Sequence, residues 1–225
     1  MFLGVRFLLW GVYTVGAGGG VAEVLSGDRV VVDRWSYGFR SALFTDSVCR
    51  YRASSPMVGD WAMFNSPTVE RGARPDTSAL CVGRVMALPG DTVWMGYNGA
   101  VSASRSYKHG CLWPVMVPAK GSMIRVYPWS ALIYARIIQT HEQHQACVVD
   151  TALFVDDRKT DMYRFARDYY WVESGTPSNF YDSRTFGPVP SDFFVGRISM
   201  VLYSFDPDRP MWEGWRGDRV CRRVE

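Results

Sequence analysis

Residues 83–93 read GRVMALPGDTV, an apolar segment that stops at a Pro-Gly-Asp turn and resumes as Thr-Val. Tight turns favour Pro, whose φ is fixed, and Gly, which accepts a positive φ. We therefore predict a strand over 82–88 and another over 92–95. Residues 96–99 read GYNG, and Asn-Gly is typical of a hairpin turn, so 100–102 is predicted to return as a third strand.

The remaining chain shows more strands than helices. Residues 27–38 read GDRVVVDRWSYG, in which a Gly-Asp turn leads to a β-branched strand over 29–33. Residues 168–172 and 195–205 also predict strands, and the latter alternates as a half-buried strand does. The spacing of apolar residues predicts one clear helix over 128–143, with Pro128 at its start. The predicted fold class is mainly β, with a mixed insertion.

The composition excludes several classes of protein. The chain has 225 residues, of which 48% are apolar and 21% charged, so it is globular rather than disordered, collagenous or coiled-coil. Its net charge of +3 is spread along the chain, whereas a nucleic-acid partner needs a clustered basic face. The five cysteines include no CxxC pair, which argues against a zinc site or a dense disulfide framework.

The N-terminus is apolar, since residues 7–22 carry no charge and follow Arg6. A membrane-spanning helix needs about 20 apolar residues, so the run is of borderline length. We predict that residues 1–15 form a membrane anchor. A cleaved signal peptide and a buried segment are the alternatives.

Three short motifs are weak candidates for chemistry. Residues 141–144 read HEQH, but a zinc-protease helix needs a second histidine at 145, which is Gln; a solvated helix end is favoured. Adjacent carboxylates at Asp156 and Asp157 point apart in an extended segment, which favours a surface loop. The glycines of 16–20 lack the preceding strand and the following Lys-Ser/Thr of a phosphate loop. We predict neither a metal site nor a cofactor.

Three segments, 27–38, 83–93 and 182–190 (DSRTFGPVP), follow one another in an order that resembles the type I signal peptidases of bacteria. These are membrane-anchored serine endopeptidases with a Ser-Lys dyad. The resemblance covers 14–206 and implies a β-rich core (16–96 and 167–206) with an inserted cap (97–166). It also implies an anchor that holds the core on the outer face of the cytoplasmic membrane, and it leaves 207–225 as a polar, irregular tail.

The positions that carry the family's chemistry differ in this chain. The resemblance places the nucleophilic serine at Gly19, the general-base lysine at Gly83 and the serine that supports the lysine at Phe180. The family's Gly-Asp-Asn is replaced at 174–176 by Ser-Gly-Thr. Motif positions that shape the core are kept: Gly27, Asp28, Arg84, Pro89, Gly90, Asp91, Asp182, Ser183 and Arg184. This pattern predicts a member of the family without catalytic activity.

Three functions follow as hypotheses. The first is binding, without cleavage, of extended segments of secreted, surface or pilin-like proteins, because this family recognises substrate by strand addition. The second is an active endopeptidase with a non-standard nucleophile; Cys81 lies on the strand face of Gly83, and Ser26, Ser36 and Ser183 are also in the motif segments. The third is a structural subunit that docks a membrane partner through cap residues such as Trp113 and Trp129.

Overall fold

The computed structural model describes residues 10–16, 23–40, 50–51, 54–67, 80–96, 101–102, 112–174, 182–210 and 212–224. The described chain is mainly β, as predicted. Its helices are α1 (Ala131–His141) and α2 (Ser183–Phe186), with 3-10 turns at Ser191–Phe193 and Gly217–Arg219. The strands are β1 (Trp10–Thr14), β2 (Asp28–Asp33), β3 (Phe39–Arg40), β4 (Arg50–Tyr51), β5 (Trp61–Asn65), β6 (Leu80–Ala87), β7 (Thr92–Gly96), β8 (Val101–Ser102), β9 (Leu112–Met116), β10 (Met123–Arg125), β11 (Ala146–Val149), β12 (Ala152–Val155), β13 (Arg158–Thr160), β14 (Met162–Arg164), β15 (Tyr169–Glu173), β16 (Val189–Pro190), β17 (Phe194–Ser204) and β18 (Arg222–Arg223).

An eight-stranded antiparallel sheet forms the core. Its order is β1-β2-β17-β5-β6-β15-β16, and β18 also pairs with β17. The strands predicted over 29–33, 82–88, 168–172 and 195–205 are all present, with bounds shifted by one or two residues. Turn signals and β-branched residues indicated the strands over 29–33 and 82–88, and sequence alternation indicated the strand over 195–205.

A turn motif occurs three times among the described residues, and this repeat was not predicted. In each copy the glycine has a positive φ, between 88° and 95°, and the following aspartate accepts a hydrogen bond through its carboxylate from the backbone N–H three residues before it, at 2.8–3.0 Å. The same aspartate donates its own N–H to that residue's carbonyl oxygen. Each copy leads directly to a strand: Gly27-Asp28 to β2, Gly59-Asp60 to β5 and Gly90-Asp91 to β7.

The segment 97–166, which the resemblance assigns to a cap, contains the predicted helix and strands of several small sheets. Helix α1 begins at Ala131, after a turn at 127–130, and ends at His141, so it is shorter at both ends than the predicted 128–143. It packs on β11 and β12 of a three-stranded sheet with β13. The predicted hairpin of 92–102 is also present, with Trp94 opposite Ser102 and Met95 opposite Val101.

The N-terminal segment corrects one prediction. A helix over 1–15 is wrong for 10–14, because β1 pairs with β2 along its full length, from Trp10 opposite Asp33 to Thr14 opposite Arg29. The Trp-Gly-Val-Tyr-Thr stretch forms a strand because it pairs with the β-branched strand β2. The spacing of residues along the sequence does not show this pairing. No helix among the described residues is long and apolar enough to cross a membrane. Residues 1–9 lie outside the described part, and the anchor stays a prediction there.

The C-terminal segment corrects a second prediction. An irregular tail over 207–225 is wrong, because β18 pairs with β17, with Met200 opposite Arg223. The 3-10 turn of Gly217–Arg219 brings Arg219 into the molecule, where it is buried. The polar composition of the segment did not predict that it packs on the core. Arg219 makes this contact through an ion pair with Asp28 rather than through apolar atoms.

Candidate functional site

Gly83, at the predicted base position, lies in β6 opposite Ala62 of β5. A side chain there would enter a crowded space: an ideal Cβ lies 3.2 Å from the carbonyl oxygen of Glu173 and 3.4 Å from ring carbon Cε1 of Phe64. Phe64 is fully buried and contacts the ring of Phe186, with centroids 6.2 Å apart. An aromatic cluster therefore lies where the side chain of residue 83 would begin.

Cys81 is the suggested replacement nucleophile, and it is buried in the same cluster. Burial raises the pKa of its thiol to about 11, and the thiol hydrogen-bonds to Ser66. A thiol with that pKa is overwhelmingly protonated near neutral pH, and the protonated form is the poor nucleophile. This environment is typical of a structural cysteine.

The suggested serines are also engaged. The Ser183 hydroxyl accepts a hydrogen bond from the backbone N–H of Val172 at 2.9 Å and is buried. The Ser36 hydroxyl donates to the Asp33 carboxylate at 2.6 Å. The carbonyl of Ser26 accepts from Arg216 at 2.9 Å. The hydroxyls of Ser183 and Ser36 therefore have structural roles, whereas the contact at Ser26 is made by its backbone.

Asp182 connects the end of β15 to α2. Its buried carboxylate accepts hydrogen bonds from the backbone N–H of Ser174 at 3.0 Å and from the Ser174 hydroxyl at 3.1 Å. It also caps α2 through the N–H of Arg184 at 3.0 Å and forms an ion pair with that guanidinium at 2.6 Å. The retained Asp-Ser-Arg therefore holds both ends of the 175–181 segment. Phe180 lies in that segment, outside the described residues.

Arg219, near the C-terminus, binds the Gly27-Asp28 turn and the neighbouring Glu23. Asp28 is 0% exposed and Arg219 is 3% exposed, and the guanidinium makes two bonds to the carboxylate, at 3.0 and 2.6 Å. Arg219 also donates to the carbonyl oxygen of Glu23 at 2.8 Å. The Glu23 carboxylate in turn accepts from the indole N–H of Trp61, in β5.

These contacts place Glu23 beside the strand that pairs with the Gly83 strand. Gly19 itself is outside the described residues, but Glu23 follows it by four residues and is bound to Trp61. Trp61 lies opposite Arg84 and precedes Ala62, the partner of Gly83. Glu23 is therefore bound to the strand beside Gly83.

Arg84 binds the Gly59-Asp60 turn, which was not predicted. Its Nε donates to the carbonyl oxygen of Gly59 at 3.1 Å. The adjoining Asp60 accepts from the Tyr37 hydroxyl at 3.0 Å and lies 3.7 Å from a guanidinium nitrogen of Arg197. The sequence contains the pattern that would have predicted this turn. Met-Val-Gly-Asp at 57–60 has the same form as Leu-Ser-Gly-Asp and Leu-Pro-Gly-Asp.

The HEQH motif corrects a third prediction, because its first half is not solvated. His141 is 6% exposed and Glu142 is 9% exposed. The Glu142 carboxylate accepts from the Tyr169 hydroxyl at 2.7 Å and from the Ala166 N–H at 2.9 Å. Burial, with a smaller effect of Arg167, lowers the pKa of His141 to about 4. No group of metal-ligating side chains is found among the described residues.

His144 and Asp156 form an exposed pair in the cap. The imidazole Nδ1 lies 2.6 Å from the Asp156 carboxylate, which also accepts from the N–H of Gln145. These bonds lower the pKa of the Asp156 carboxyl. Asp156 and Asp157 both have positive φ and form the turn between β12 and β13, so the predicted surface loop is a hairpin turn.

The edge of β6 before Arg84 differs from the rest of the strand. Strand β5 pairs with β6 from Leu80 to Arg84, whereas β15 pairs with it only from Arg84 to Ala87. Among the described strands, the first half of β6 is therefore paired on one side only. Extended peptides add to such an edge by backbone hydrogen bonding.

Comparison with known protein families identifies a match over most of the chain. A family model described as signal peptidase, peptidase S26, matches residues 1–203. The match includes every motif position discussed above and ends one residue before the last residue of β17. No curated protein matches the chain.

Proposed function

The chain belongs to the signal peptidase family, peptidase S26, and from that premise we propose that it binds extended segments of secreted or surface preproteins without cleaving them. We further propose that residues 1–9 contribute to an anchor that places the core on the extracytoplasmic face of a bacterial cytoplasmic membrane. Pilin-like proteins are included in the proposed substrate class. The membrane and the preprotein are the two partners, and neither a cofactor nor a nucleic acid is invoked.

The surroundings of Gly83 carry the proposal. A Ser-Lys mechanism needs a buried neutral amine to accept the proton of the serine. Position 83 has no side chain, and the nearest atoms that one would meet belong to the Phe64 ring and the Glu173 carbonyl. Gly19 lacks a hydroxyl and Phe180 lacks the supporting one. Loss of catalytic residues in a serine protease removes about 10⁴- to 10⁶-fold of the rate.

The retained structure supports binding. Asp182, Arg84 and the Gly27-Asp28 turn keep the core in shape through contacts that need no dyad residue. No described strand pairs with the edge of β6 that precedes Arg84 on the β15 side. Strand addition uses backbone groups, so substitution at positions 19 and 83 leaves this mode of recognition intact.

A single-turnover assay tests cleavage and binding together. The full chain, in detergent and in excess over a labelled preprotein, is followed by mass spectrometry while retention of the preprotein is measured in parallel. We expect retention of an uncut preprotein. A cut after a small residue overturns the proposal of inactivity, and an absence of retention overturns the proposal of binding.

Backbone-modified peptides test the mode of binding without altering the protein. A peptide from the retained segment is N-methylated at every second residue, which removes the N–H groups on one edge of an extended strand. Its control carries the methyl groups on the alternate residues. Strand addition predicts that one of the two loses at least about tenfold in affinity, equal to about 1.4 kcal/mol, while the other binds as before. Equal binding of both overturns strand addition.

A further inference from the structure

One face of the β10–β14 sheet in the cap is exposed and consists of methionine and arginine. Met123 lies opposite Arg164, and Arg125 lies opposite Met162, so the four side chains share one face of the sheet. Met123 is 52% exposed and Met162 is 45% exposed, and both arginines are exposed. The intervening Ile124 points to the other side, into the cap core.

Two aromatic residues extend this face. The guanidinium carbon of Arg125 lies 5.7 Å from the ring centroid of Tyr127, and Tyr127 stacks on Trp129 with centroids 4.6 Å apart. The Trp129 indole N–H donates to the carbonyl oxygen of Pro114 at 3.0 Å, which holds the pair in place. The Met-Arg face is defined by these six residues: Met123, Arg125, Tyr127, Trp129, Met162 and Arg164.

The fold does not account for the composition of this face. Neither Arg125 nor Arg164 forms an ion pair with an acidic side chain of the described chain, and the two methionines and two aromatics are 40–52% exposed. Trp, Tyr, Met and Arg are the residues enriched in protein interfaces, while Lys, Glu, Asp, Ser and Ala are depleted there. All six members of the face belong to the enriched group.

We propose that the Met-Arg face docks an acidic, apolar-containing segment of a partner protein. Charge complementarity selects the partner: two guanidinium groups that form no ion pair within the described chain are matched by carboxylates, which they bind in a bidentate geometry. Methionine side chains adapt to apolar groups between those carboxylates. The surface is in the cap, and the inference does not rest on the function proposed for the β6 edge.

A lipid surface fits these observations less well. Recognition of anionic membranes uses clusters of about four to eight basic residues, each contributing about 1 kcal/mol, whereas the Met-Arg face has two arginines. The alternation of Arg and Met across a strand pair also places charges and apolar groups at fixed spacing, as a protein partner requires.

A charge-swap experiment on the full chain tests the proposal. The probe is a short labelled peptide of alternating leucine and glutamate, and its matched control has glutamine in place of glutamate. We expect salt-sensitive binding of the glutamate peptide, weakened at least about tenfold by the double change Arg125→Glu with Arg164→Glu. The reversed variant is expected to bind the corresponding leucine-lysine peptide. Arg158→Glu with Lys159→Glu, on exposed β13, is the control variant and keeps the original binding.

Each other outcome overturns the proposal. Equal binding of the glutamine peptide removes the role of charge, and equal loss in the β13 control removes the role of this face. Binding to phosphatidylglycerol vesicles without binding to the peptide identifies a lipid surface instead. If charge reversal lowers the melting temperature, Arg125→Gln with Arg164→Gln replaces it. Retention of preprotein is measured on the same variants and is expected to be unchanged, so failure here and failure of the β6-edge proposal are distinguishable.

Discussion

At the scale of single residues, the three Gly-Asp turns show how one backbone requirement recurs in different surroundings. Each glycine has a positive φ, which an L side chain adopts only at a cost. Around Gly90 there is open space, whereas an ideal Cβ at Gly27 lies 1.8 Å from the carbonyl oxygen of Phe205. A side chain at position 90 would therefore meet backbone strain alone, whereas one at position 27 would also clash with a neighbouring carbonyl.

Alanine substitution at these glycines should give different losses of stability. We expect Gly90→Ala to lower the free energy of unfolding by about 1–2 kcal/mol, the cost of a left-handed residue. Gly27→Ala adds a clash with a backbone carbonyl that cannot be relieved by a rotamer change, so we expect a loss above about 4 kcal/mol. Urea denaturation of both variants measures this. Equal losses would contradict the assignment of a close approach at Gly27.

At the scale of elements, the end of α1 joins the cap to the core. His141 lies between the rings of Phe193, at 5.1 Å, and Tyr169, at 6.4 Å between centroids. Glu142 receives hydrogen bonds from Tyr169 and Ala166. The last turn of the helix is therefore buried among residues of the chain that returns to the core, and His141 is neutral there because burial lowers its pKa to about 4.

The buried His141 makes stability depend on pH. In the unfolded chain its pKa is about 6.5, so protonation favours unfolding as the pH falls below that value. The stability associated with neutral, buried His141 is fully present above about pH 6.5. It is lost progressively as the pH falls toward 4, because the unfolded chain binds the proton first. Between pH 7 and 5 we expect the free energy of unfolding to fall by about 2 kcal/mol through this group.

Replacement of the imidazole separates this effect from other titrations. His141→Gln should remove the component between pH 7 and 5, whereas His144→Gln, at an exposed histidine, should retain it. Denaturant unfolding at a series of pH values gives the comparison. An unchanged pH profile in His141→Gln would exclude His141 as its source.

At the scale of the whole molecule, the C-terminal segment closes the fold onto the first core turn. The Asp28–Arg219 pair joins residues separated by 191 positions, and Arg216 adds bonds to Ser26 and Ser204. The family match ends at residue 203, so these contacts come from a part of the chain beyond that match. The segment is therefore integral to this protein's core.

Loss of the Arg219 guanidinium should be costly, because it leaves the buried Asp28 carboxylate without its ionic partner. Breaking a buried pair in this way typically costs about 3–5 kcal/mol, and we expect that loss in Arg219→Ala. Arg222→Ala, at an exposed arginine of β18, is the control and should change stability by less than about 0.5 kcal/mol. A loss below about 1 kcal/mol in Arg219→Ala would show that the pair contributes little.

Local features were predictable from the sequence for a physical reason. The Pro-Gly-Asp turn, the β-branched strand after Gly27-Asp28 and helix α1 depend on neighbouring residues, whose φ preferences and apolar spacing can be read along the chain. The order of the motifs also indicated the family, which the match over 1–203 confirms. The glycine at position 83 is likewise a property of the sequence alone, because the motif around Arg84 fixes its place.

The features that were missed depend on residues far apart. Strand β1 exists because 10–14 pairs with β2. The first half of the HEQH motif is buried because Tyr169 and Phe193 contact His141, and the C-terminal segment packs on the core because Arg219 binds Asp28. Burial, strand pairing and ion pairing are set by the packing of distant segments, which local spacing does not record. The sequence by itself therefore determined two of the three Gly-Asp turns, four of the eight core strands and the glycine at position 83. Only the tertiary structure decided that the Phe64 ring lies beside Gly83 and that both β1 and the C-terminal segment belong to the core.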